Sequence, residues 1–201
     1  MPRLLNSQIV APYANLISST QSSGFGISCD FYHVGGNIGL KMYKSRIVRD
    51  NNFFMQNLLA HYGLAPRAYK RLNIDKGRYG FTTELCEVAS DFSTERRIIQ
   101  VFGSSIHFGK FSYWDKWHDA VANLENSARN AIGGSFYVRD LHSGNYGINY
   151  RTGELNIIDV GHFRVAGVYN ARGNEYRVER CPTKTLCDVI KHGLGVDVRK
   201  L

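Results

Sequence analysis

Two short polar segments in the second half of the chain follow apolar stretches, and their residue types suit phosphoryl transfer. One contains Asp140 and, five positions later, Asn145; the other begins at Asp159, which is followed by Val-Gly. Phosphoryl transfer from ATP requires a carboxylate that accepts the proton of the attacking hydroxyl, and oxygen ligands that hold Mg²⁺ against the phosphates. We therefore interpret Asp140 as the base. Asn145 and Asp159 carry the hard oxygen donors that Mg²⁺ prefers.

The two segments together resemble the protein-kinase-like superfamily, which has a catalytic loop H-R-D-x-x-x-x-N and a metal-binding D-F-G. This chain has Val138-Arg139-Asp140 with Asn145, and then Asp159-Val160-Gly161. Its D-L-H-S-G-N run is similar to the D-[LM]-H-x-G-N of aminoglycoside-phosphotransferase-like enzymes and of small kinases carried by lytic phages. The resemblance implies ATP and Mg²⁺ as cofactors. It also places His142 in the catalytic loop, where it packs or touches phosphate.

The same resemblance assigns the phosphate-binding parts to the first half of the chain. Ile38-Gly39-Leu40-Lys41 fits the V-A-I-K strand, in which the lysine pairs with the α- and β-phosphates. Lys44 is a rival on the opposite face of the strand. Gly24 and Gly26 lie where the phosphate-covering glycine loop is expected, although Cys29 replaces the third glycine. These glycines either cradle phosphate or serve only a turn.

The adenine-binding hinge is expected at Thr83-Glu84-Leu85-Cys86, after the last strand of the first half. In kinase-like proteins this segment offers polar groups of its backbone to the base, so the resemblance implies nucleotide contacts at Glu84 and Cys86. The residue types alone are also compatible with an ordinary strand end.

Three departures from the family pattern affect the expected activity. The helix after Lys41 has no glutamate to pair with it, and its corresponding turns carry Asn51, Asn52 and Gln56. Either an amide orients Lys41, or the lysine contacts phosphate unaided, or catalysis is impaired. Val138 replaces the loop histidine, and no A-P-E sequence follows Asp159. The resemblance therefore implies that the large helical substrate-binding subdomain is absent or rudimentary.

The pattern of apolar, glycine and capping residues predicts the elements that would hold these residues. In the first half we expect a helix over Asn51–Tyr62, capped by Asp50, with Phe54, Leu58 and His61 on one face. The strands expected there are Leu16–Gln21, Ile27–His33, Ile38–Tyr43, Arg67–Asn73 and Tyr79–Leu85, with a glycine turn at Val34–Asn37. In the second half we expect a helix carrying Trp114, Trp117, Val121, Leu124 and Ala128, a hairpin turning at Arg151–Glu154, and a last helix over Thr185–His192.

These elements and the resemblance together predict an α+β, two-lobed, protein-kinase-like fold. Residues 1–86 would form an antiparallel β-sheet N-lobe with one helix. Residues 87–201 would form a truncated, mostly helical C-lobe, and the two would make one kinase domain. The sequence leaves open whether a protein partner activates the domain or completes the C-lobe.

Composition limits the classes of protein that the chain can belong to. It has 201 residues, 43% of them hydrophobic, four cysteines without metal or redox spacing, and neither a secretory signal nor a membrane-length apolar run. We expect a cytoplasmic protein with free thiols and no membrane partner. The net charge of +8 comes from scattered Lys and Arg residues, so we do not expect nucleic acid as a partner. For Arg164, Arg172, Arg177 and Arg180 we favour a solvated loop over an acidic-substrate site.

The leading hypothesis is a Ser/Thr protein kinase, of a phage or mobile element, that acts on host proteins. A pseudokinase that occupies a host protein is one alternative, and a small-molecule phosphotransferase is another. Asp140-x-His142 and Asp159-x-x-His162 also suggest a metallohydrolase cluster, but the further motifs of metallophosphoesterases are missing from the sequence.

Overall fold

A computed structural model describes residues 24–25, 29–75, 77–88 and 113–201 of the chain. The architecture is mixed α/β, with helices packed against antiparallel sheets. The strands are β1 Gly24–Phe25, β2 Asp30–Gly35, β3 Ile38–Tyr43, β4 Ala68–Asp75, β5 Arg78–Glu84, β6 Cys86–Val88, β7 Phe136–Tyr137, β8 Tyr146–Asn149, β9 Leu155–Ile157, β10 Arg164–Tyr169 and β11 Glu175–Arg177. The helices are α1 Arg46–His61, α2 Tyr113–Ile132 and α3 Thr183–Leu194, with 3₁₀ turns at Ser143–Asn145 and Val178–Arg180.

The first half of the chain forms a five-stranded antiparallel sheet in the order β1-β2-β3-β5-β4. The glycine turn between β2 and β3 is confirmed, since Gly35 and Gly36 have φ values of +112° and +57° that only glycine adopts easily. The bounds of β3 match the prediction, and those of β4 and β5 are within one or two residues of it. β2 begins at Asp30. Residues 27–28 of its predicted range, and the predicted strand Leu16–Gln21, lie outside the described residues.

Helix α1 begins earlier than predicted, because its cap is Ser45 and not Asp50. The Ser45 hydroxyl accepts a hydrogen bond from the Val48 amide at 3.5 Å. Asp50 instead lies within the helix, where its carboxylate pairs with Arg49 at 2.7 Å. The placement of His61 on the apolar face is also wrong, since this side chain is exposed. The predicted stop is confirmed by Gly63, whose φ of +74° ends the helix.

The main hydrophobic core lies between the three helices and the strands of the second half. Leu58 of α1, Ile132 of α2 and Ile190 of α3 are completely buried in it, together with Ile157 and Phe163. The predicted helices α2 and α3 and the β8–β9 hairpin are confirmed. No helix in the described ranges combines the length and the apolar character needed to cross a membrane.

The segment after Asp159 forms a hairpin where we expected a solvated basic loop. Strands β10 and β11 pair antiparallel, and β10 also pairs with β7. Val165 is completely buried in the main core, so alternate residues of β10 anchor the hairpin. The expectation of a loop was wrong. The many arginines of this segment suggested solvent exposure, and the alternation of buried and exposed residues in β10 was overlooked.

Asn51 joins α1 to the 3₁₀ turn Val178–Arg180 near the end of the chain. Its side chain is completely buried, and its amide donates to the carbonyl oxygens of Val178 at 2.8 Å and of Cys181 at 2.6 Å. Buried carbonyl groups without partners are costly. A single amide therefore fixes the helix against a segment about 130 positions away in the chain.

We predict that Asn51→Ala lowers the free energy of unfolding by about 2–4 kcal/mol, because it removes the side-chain donor from the buried Cys181 carbonyl and leaves the Val178 carbonyl only its 3.3 Å bond from the Cys181 amide. Urea denaturation of wild type and variant measures this loss. Asn126→Ala, on the exposed side of α2, is the matched control and should change stability by less than about 0.5 kcal/mol. Equal stability of the Asn51 and Asn126 variants would contradict the role of Asn51.

Candidate active site

Lys41 is buried at the centre of the candidate site, with 7% of its surface exposed. Its ammonium donates to the side-chain oxygen of Gln56 on α1 at 2.9 Å. It also donates to the backbone carbonyl of Ile158, 117 positions later in the chain. A buried cation needs such partners, because desolvation without them is costly. Lys41 therefore connects the sheet, α1 and the segment that leads into Asp159, whereas the rival Lys44 is exposed.

Gln56 occupies the position at which the resemblance leads one to expect a glutamate. Its oxygen accepts from Lys41, while its amide nitrogen donates to Thr83 Oγ1 at 2.6 Å and to the Pro66 carbonyl at 2.7 Å. A carboxylate would satisfy the lysine but not these two acceptors. Of the three alternatives left by the sequence, the structure therefore supports the first, in which an amide orients Lys41.

Asp140 and Asn145 are held together within the catalytic-loop segment. The Asn145 side-chain amide donates to the Asp140 carbonyl. Asp140 is the one non-glycine residue in the described ranges with a positive φ, +58°, a conformation that costs energy unless neighbouring contacts enforce it. Its carboxylate remains 45% exposed, which leaves it accessible to a substrate hydroxyl.

Asp159 adjoins this loop through the backbone. The amide of the preceding residue, Ile158, donates to the Asn145 carbonyl at 2.9 Å. One carboxylate oxygen of Asp159 accepts from the Gly161 amide at 3.0 Å. A Cβ atom at Gly161 would lie 3.3 Å from both Asn52 Oδ1 and Glu179 Oε2. This close packing gives a physical reason for the glycine of the Asp-Val-Gly motif.

His162 contacts the candidate base, a contact that the sequence reasoning missed. Its Nδ1 pairs with the Asp140 carboxylate. Its Nε2 lies 3.4 Å from the guanidinium of Arg177 and 4.0 Å from the buried carboxylate of Glu179. Sequence analysis noted His162 only as a candidate metal ligand, because no local pattern shows that the chain folds this ring onto Asp140.

His142 has a local role in the structure. The side chain is exposed, and its Nδ1 accepts a hydrogen bond from the Gly144 amide at 3.2 Å. A contact with phosphate stays a prediction. The described residues contain no group of three or more His, Cys, Asp or Glu side chains placed to hold a metal ion. The metallohydrolase hypothesis therefore has no geometric support in this part of the chain.

The predicted glycine loop at the start of the sheet is described only in part. Gly24 lies in β1 and pairs with Phe31 of β2, while Gly26 lies outside the described residues. Burial raises the pKa of the Cys29 thiol to about 11, against the opposing charge of Lys41 and with a further contribution from Asp159. Cys29 is therefore close to both of these residues. Whether Gly24 and Gly26 cradle phosphate stays a prediction.

The predicted hinge has a structural role that its sequence did not reveal. The Glu84 side chain is 4% exposed, and it accepts from Asn149 at 2.7 Å, the Arg67 amide at 3.0 Å and the Tyr69 hydroxyl at 3.2 Å. It also forms an ion pair with Arg151 at 2.5 Å. Burial alone would raise the pKa of Glu84, but these donors outweigh burial and lower it. Its carboxylate thus joins β5 to the β8–β9 hairpin.

The backbone of the hinge is also partly engaged. The Glu84 amide donates to the Arg67 carbonyl at 3.0 Å, and the Leu85 amide donates to the Asn37 carbonyl at 2.8 Å. Cys86 is buried near Lys41: burial raises the pKa of its thiol to about 12, and the lysine charge opposes this shift. Adenine contacts at Glu84 and Cys86 stay a prediction. They could use only those backbone groups of the hinge that the hydrogen bonds to Arg67 and Asn37 leave unused.

The residues around Asp159 suit a Mg²⁺-nucleotide complex in their chemistry. Asp159 has carboxylate oxygens, and the Asn145 amide donates through its nitrogen, which leaves its oxygen as an acceptor. Oxygen donors of this kind are those that Mg²⁺ takes alongside substrate phosphates and water. Lys41 brings a positive charge to the same region, where phosphate oxygens would require it.

Comparison with known proteins finds similarity among solved structures only. No protein-family model and no curated protein sequence matches the chain. Among solved structures, the chain is similar to the kinase PK-1 of Cydia pomonella granulovirus, with 10% sequence identity and a TM-score of 0.49. The alignment covers 96% of this chain and 74% of that kinase. The residue roles proposed below rest on the contacts of this chain.

We predict that Gln56→Glu does not act as a restored ion pair but destabilises the protein by about 1–3 kcal/mol. The new carboxylate would meet the Pro66 carbonyl without a proton to donate, which leaves a buried acceptor unpaired. Thermal and urea unfolding at neutral pH measure the change. Asn126→Asp, at an exposed position of α2, is the matched control. A Gln56→Glu protein at least as stable as wild type would refute this account of the amide.

A second prediction concerns Glu84 and pH. Because its pKa is lowered on folding, its charged form stabilises the protein above the unfolded-state pKa, roughly 4.3, and this contribution is lost as pH falls through the lower folded-state value. The destabilisation by Glu84→Gln should therefore be largest near pH 7 and shrink below about pH 4.

Urea denaturation of wild type and Glu84→Gln across this pH range measures the difference in unfolding free energy. Glu154→Gln changes an exposed carboxylate of the adjacent β8–β9 turn and serves as the matched control. A Glu84→Gln penalty that stays constant from pH 7 to pH 3 would show that the charge of Glu84 does not contribute.

Proposed function

We propose that this chain is an ATP-dependent protein kinase that transfers the γ-phosphate to Ser or Thr hydroxyls of protein substrates. The observation that carries the proposal is the double contact of Lys41. Its ammonium binds Gln56 on α1 and the carbonyl of Ile158, the residue directly before Asp159. This contact brings together two motifs that are far apart in sequence, which supports the proposal because phosphoryl transfer needs a cation and a metal-binding acid at the same phosphates.

Each chain residue has a defined part in the proposed reaction. Asp140 orients the substrate hydroxyl and accepts its proton, and its partly exposed carboxylate suits this role. Lys41 binds phosphate oxygens, with its position set by Gln56. Asn145 holds the loop through the Asp140 carbonyl and, with Asp159, would bind Mg²⁺. When bound, that ion would neutralise the charge of the phosphates.

His162 positions Asp140 in this proposal. It lies between the Asp140 carboxylate and the pair formed by Arg177 and Glu179. The ring therefore limits the orientations that the carboxylate can take before a substrate arrives. A hydroxyl that approaches Asp140 would compete with the imidazole for the same carboxylate oxygen.

The domain organisation and the partners belong to the same proposal. Residues 1–86 would act as the nucleotide-binding lobe, with Gly24 and Gly26 near the phosphates and Glu84 and Cys86 near adenine. Residues 87–201 would act as the catalytic lobe, with His142 beside the phosphates. Host proteins of the cytoplasm would be the substrates if the chain belongs to a phage, and a protein partner could complete the second lobe.

A pseudokinase is the second candidate, and one specific contact favours it. The carboxylate of Asp140 is already paired with His162, so the candidate base is engaged within the chain. If that pair does not open, the fold would bind nucleotide or a host protein without transferring phosphate.

We predict that the purified protein, incubated with γ-labelled ATP and Mg²⁺, labels itself or proteins of a host lysate. Asp159→Asn should reduce the rate by roughly 100-fold or more, because it removes a charged metal ligand at the phosphates. Phosphoamino-acid analysis then distinguishes Ser and Thr from Tyr. Asp119→Asn, on an exposed position of α2, is the matched control and should retain the wild-type rate.

The remaining outcomes separate the two candidates. Nucleotide binding without label transfer, also in the presence of lysate, would reject the active kinase in favour of the pseudokinase. Absence of both binding and transfer would reject the nucleotide site. Label transfer that is unchanged in Asp159→Asn would reject the assigned role of that residue.

A further inference from the structure

The fold gathers six cationic side chains into one groove on the surface. We call it the basic groove; its cations are Arg46, Arg49, Arg67, Lys70, Arg71 and Arg199. It has a volume of about 540 Å³ and lies between α1, β4 and the C-terminal segment 198–201. These cations are scattered in the sequence, as noted above, but folding brings them together from positions up to 153 apart in the chain.

Few carboxylates balance the positive charge of the basic groove. Asp50 pairs with Arg46 at 3.8 Å, with Arg49 at 2.7 Å and with Arg71 at 3.3 Å. Arg199 lies 3.8 Å from Asp188. In the described part of the chain these two acids form ion pairs with four of the six cations, so the groove has a net positive charge. Such a surface attracts anionic partners.

The same groove has an apolar component. Phe53 and Phe54 line it, and the guanidinium of Arg71 lies 5.3 Å and 5.0 Å from the centres of their rings. At the rim, Tyr69 is 45% exposed and Leu201 is 46% exposed. A ligand that fills the groove would therefore meet both cations and apolar surface.

We propose that the basic groove is a docking site for an acidic protein segment that carries at least one large apolar side chain. The guanidinium groups match carboxylates in geometry as well as in charge, and four of the six cations are exposed arginines. Proteins that bind single-stranded nucleic acid stack successive bases on several aromatic side chains. The lining offers one exposed aromatic ring, Tyr69, so an acidic protein segment fits better than nucleic acid.

The groove is separate from the candidate catalytic residues. None of the residues that line it contacts Asp140 or Asp159 in the described structure. Helix α1 contributes to both places, with Arg46 and Arg49 in the groove and Gln56 at Lys41. The docking proposal therefore does not require phosphoryl transfer, and it can fail or hold independently of the proposed function.

The test measures fluorescence anisotropy of a short labelled peptide made of Glu and Asp with one Leu and one Phe. The full-length wild type should bind it, and binding should weaken with salt because charges contribute. The double variant Arg67→Glu, Lys70→Glu reverses two exposed groove charges and should weaken binding about tenfold or more, at 1.4 kcal/mol per factor of ten.

The double variant Arg172→Glu, Lys191→Glu makes the same change in net charge at exposed positions outside the groove and is the matched control. It should retain nearly wild-type affinity. Equal weakening in both double variants would show that only net charge matters, and absence of peptide binding at low salt would also overturn the proposal.

Two further probes test the chemistry of the partner. A peptide with Ser in place of Leu and Phe should bind more weakly, and equal binding would overturn the apolar part of the proposal. A labelled dT oligonucleotide that binds more tightly than the peptide, and loses affinity in the groove variant, would reassign the groove to nucleic acid. If circular dichroism shows that the double variant Arg67→Glu, Lys70→Glu does not fold, the double variant Arg67→Ala, Lys70→Ala replaces it.

Discussion

The burial of the Lys41 ammonium is the constraint on which the arrangement of the site depends. A charge with 7% exposure needs fixed partners, and the chain supplies the Gln56 oxygen and the Ile158 carbonyl. Because these partners lie on α1 and directly before Asp159, satisfying one cation aligns the sheet, the helix and the metal-motif segment. Gln56 is itself fixed by Pro66 and Thr83, so the alignment extends to the end of β5.

Further polar contacts hold the second half of the chain against this centre. Asn51 binds two carbonyl groups near the end of the chain, and Glu84 binds the β8–β9 hairpin through Asn149 and Arg151. These side chains are buried and polar, so their hydrogen bonds specify one arrangement more sharply than apolar contacts do.

Charge is distributed differently in the catalytic region and in the basic groove. Around Asp140 the ionisable side chains form a short contact series, in which His162 lies between Asp140 and the ion pair of Arg177 with Glu179. In the groove, by contrast, two carboxylates pair with four of the six cations. The first arrangement limits the orientations of the Asp140 carboxylate, whereas the second leaves a net positive charge at the surface.

The local sequence determined the elements, and the tertiary structure decided which side chains meet. The bounds of β3, the glycine turn before it, the helix α2 and the β8–β9 hairpin follow from periodicity and turn residues, which act over a few positions. The start of α1 was missed because Ser45 and Asp50 are both acceptable caps by residue type. The role of Gln56, the His162–Asp140 pair and the basic groove could not be predicted from the sequence. Each depends on contacts between residues far apart in the chain, and local propensity carries no information about which distant side chains will satisfy a buried charge.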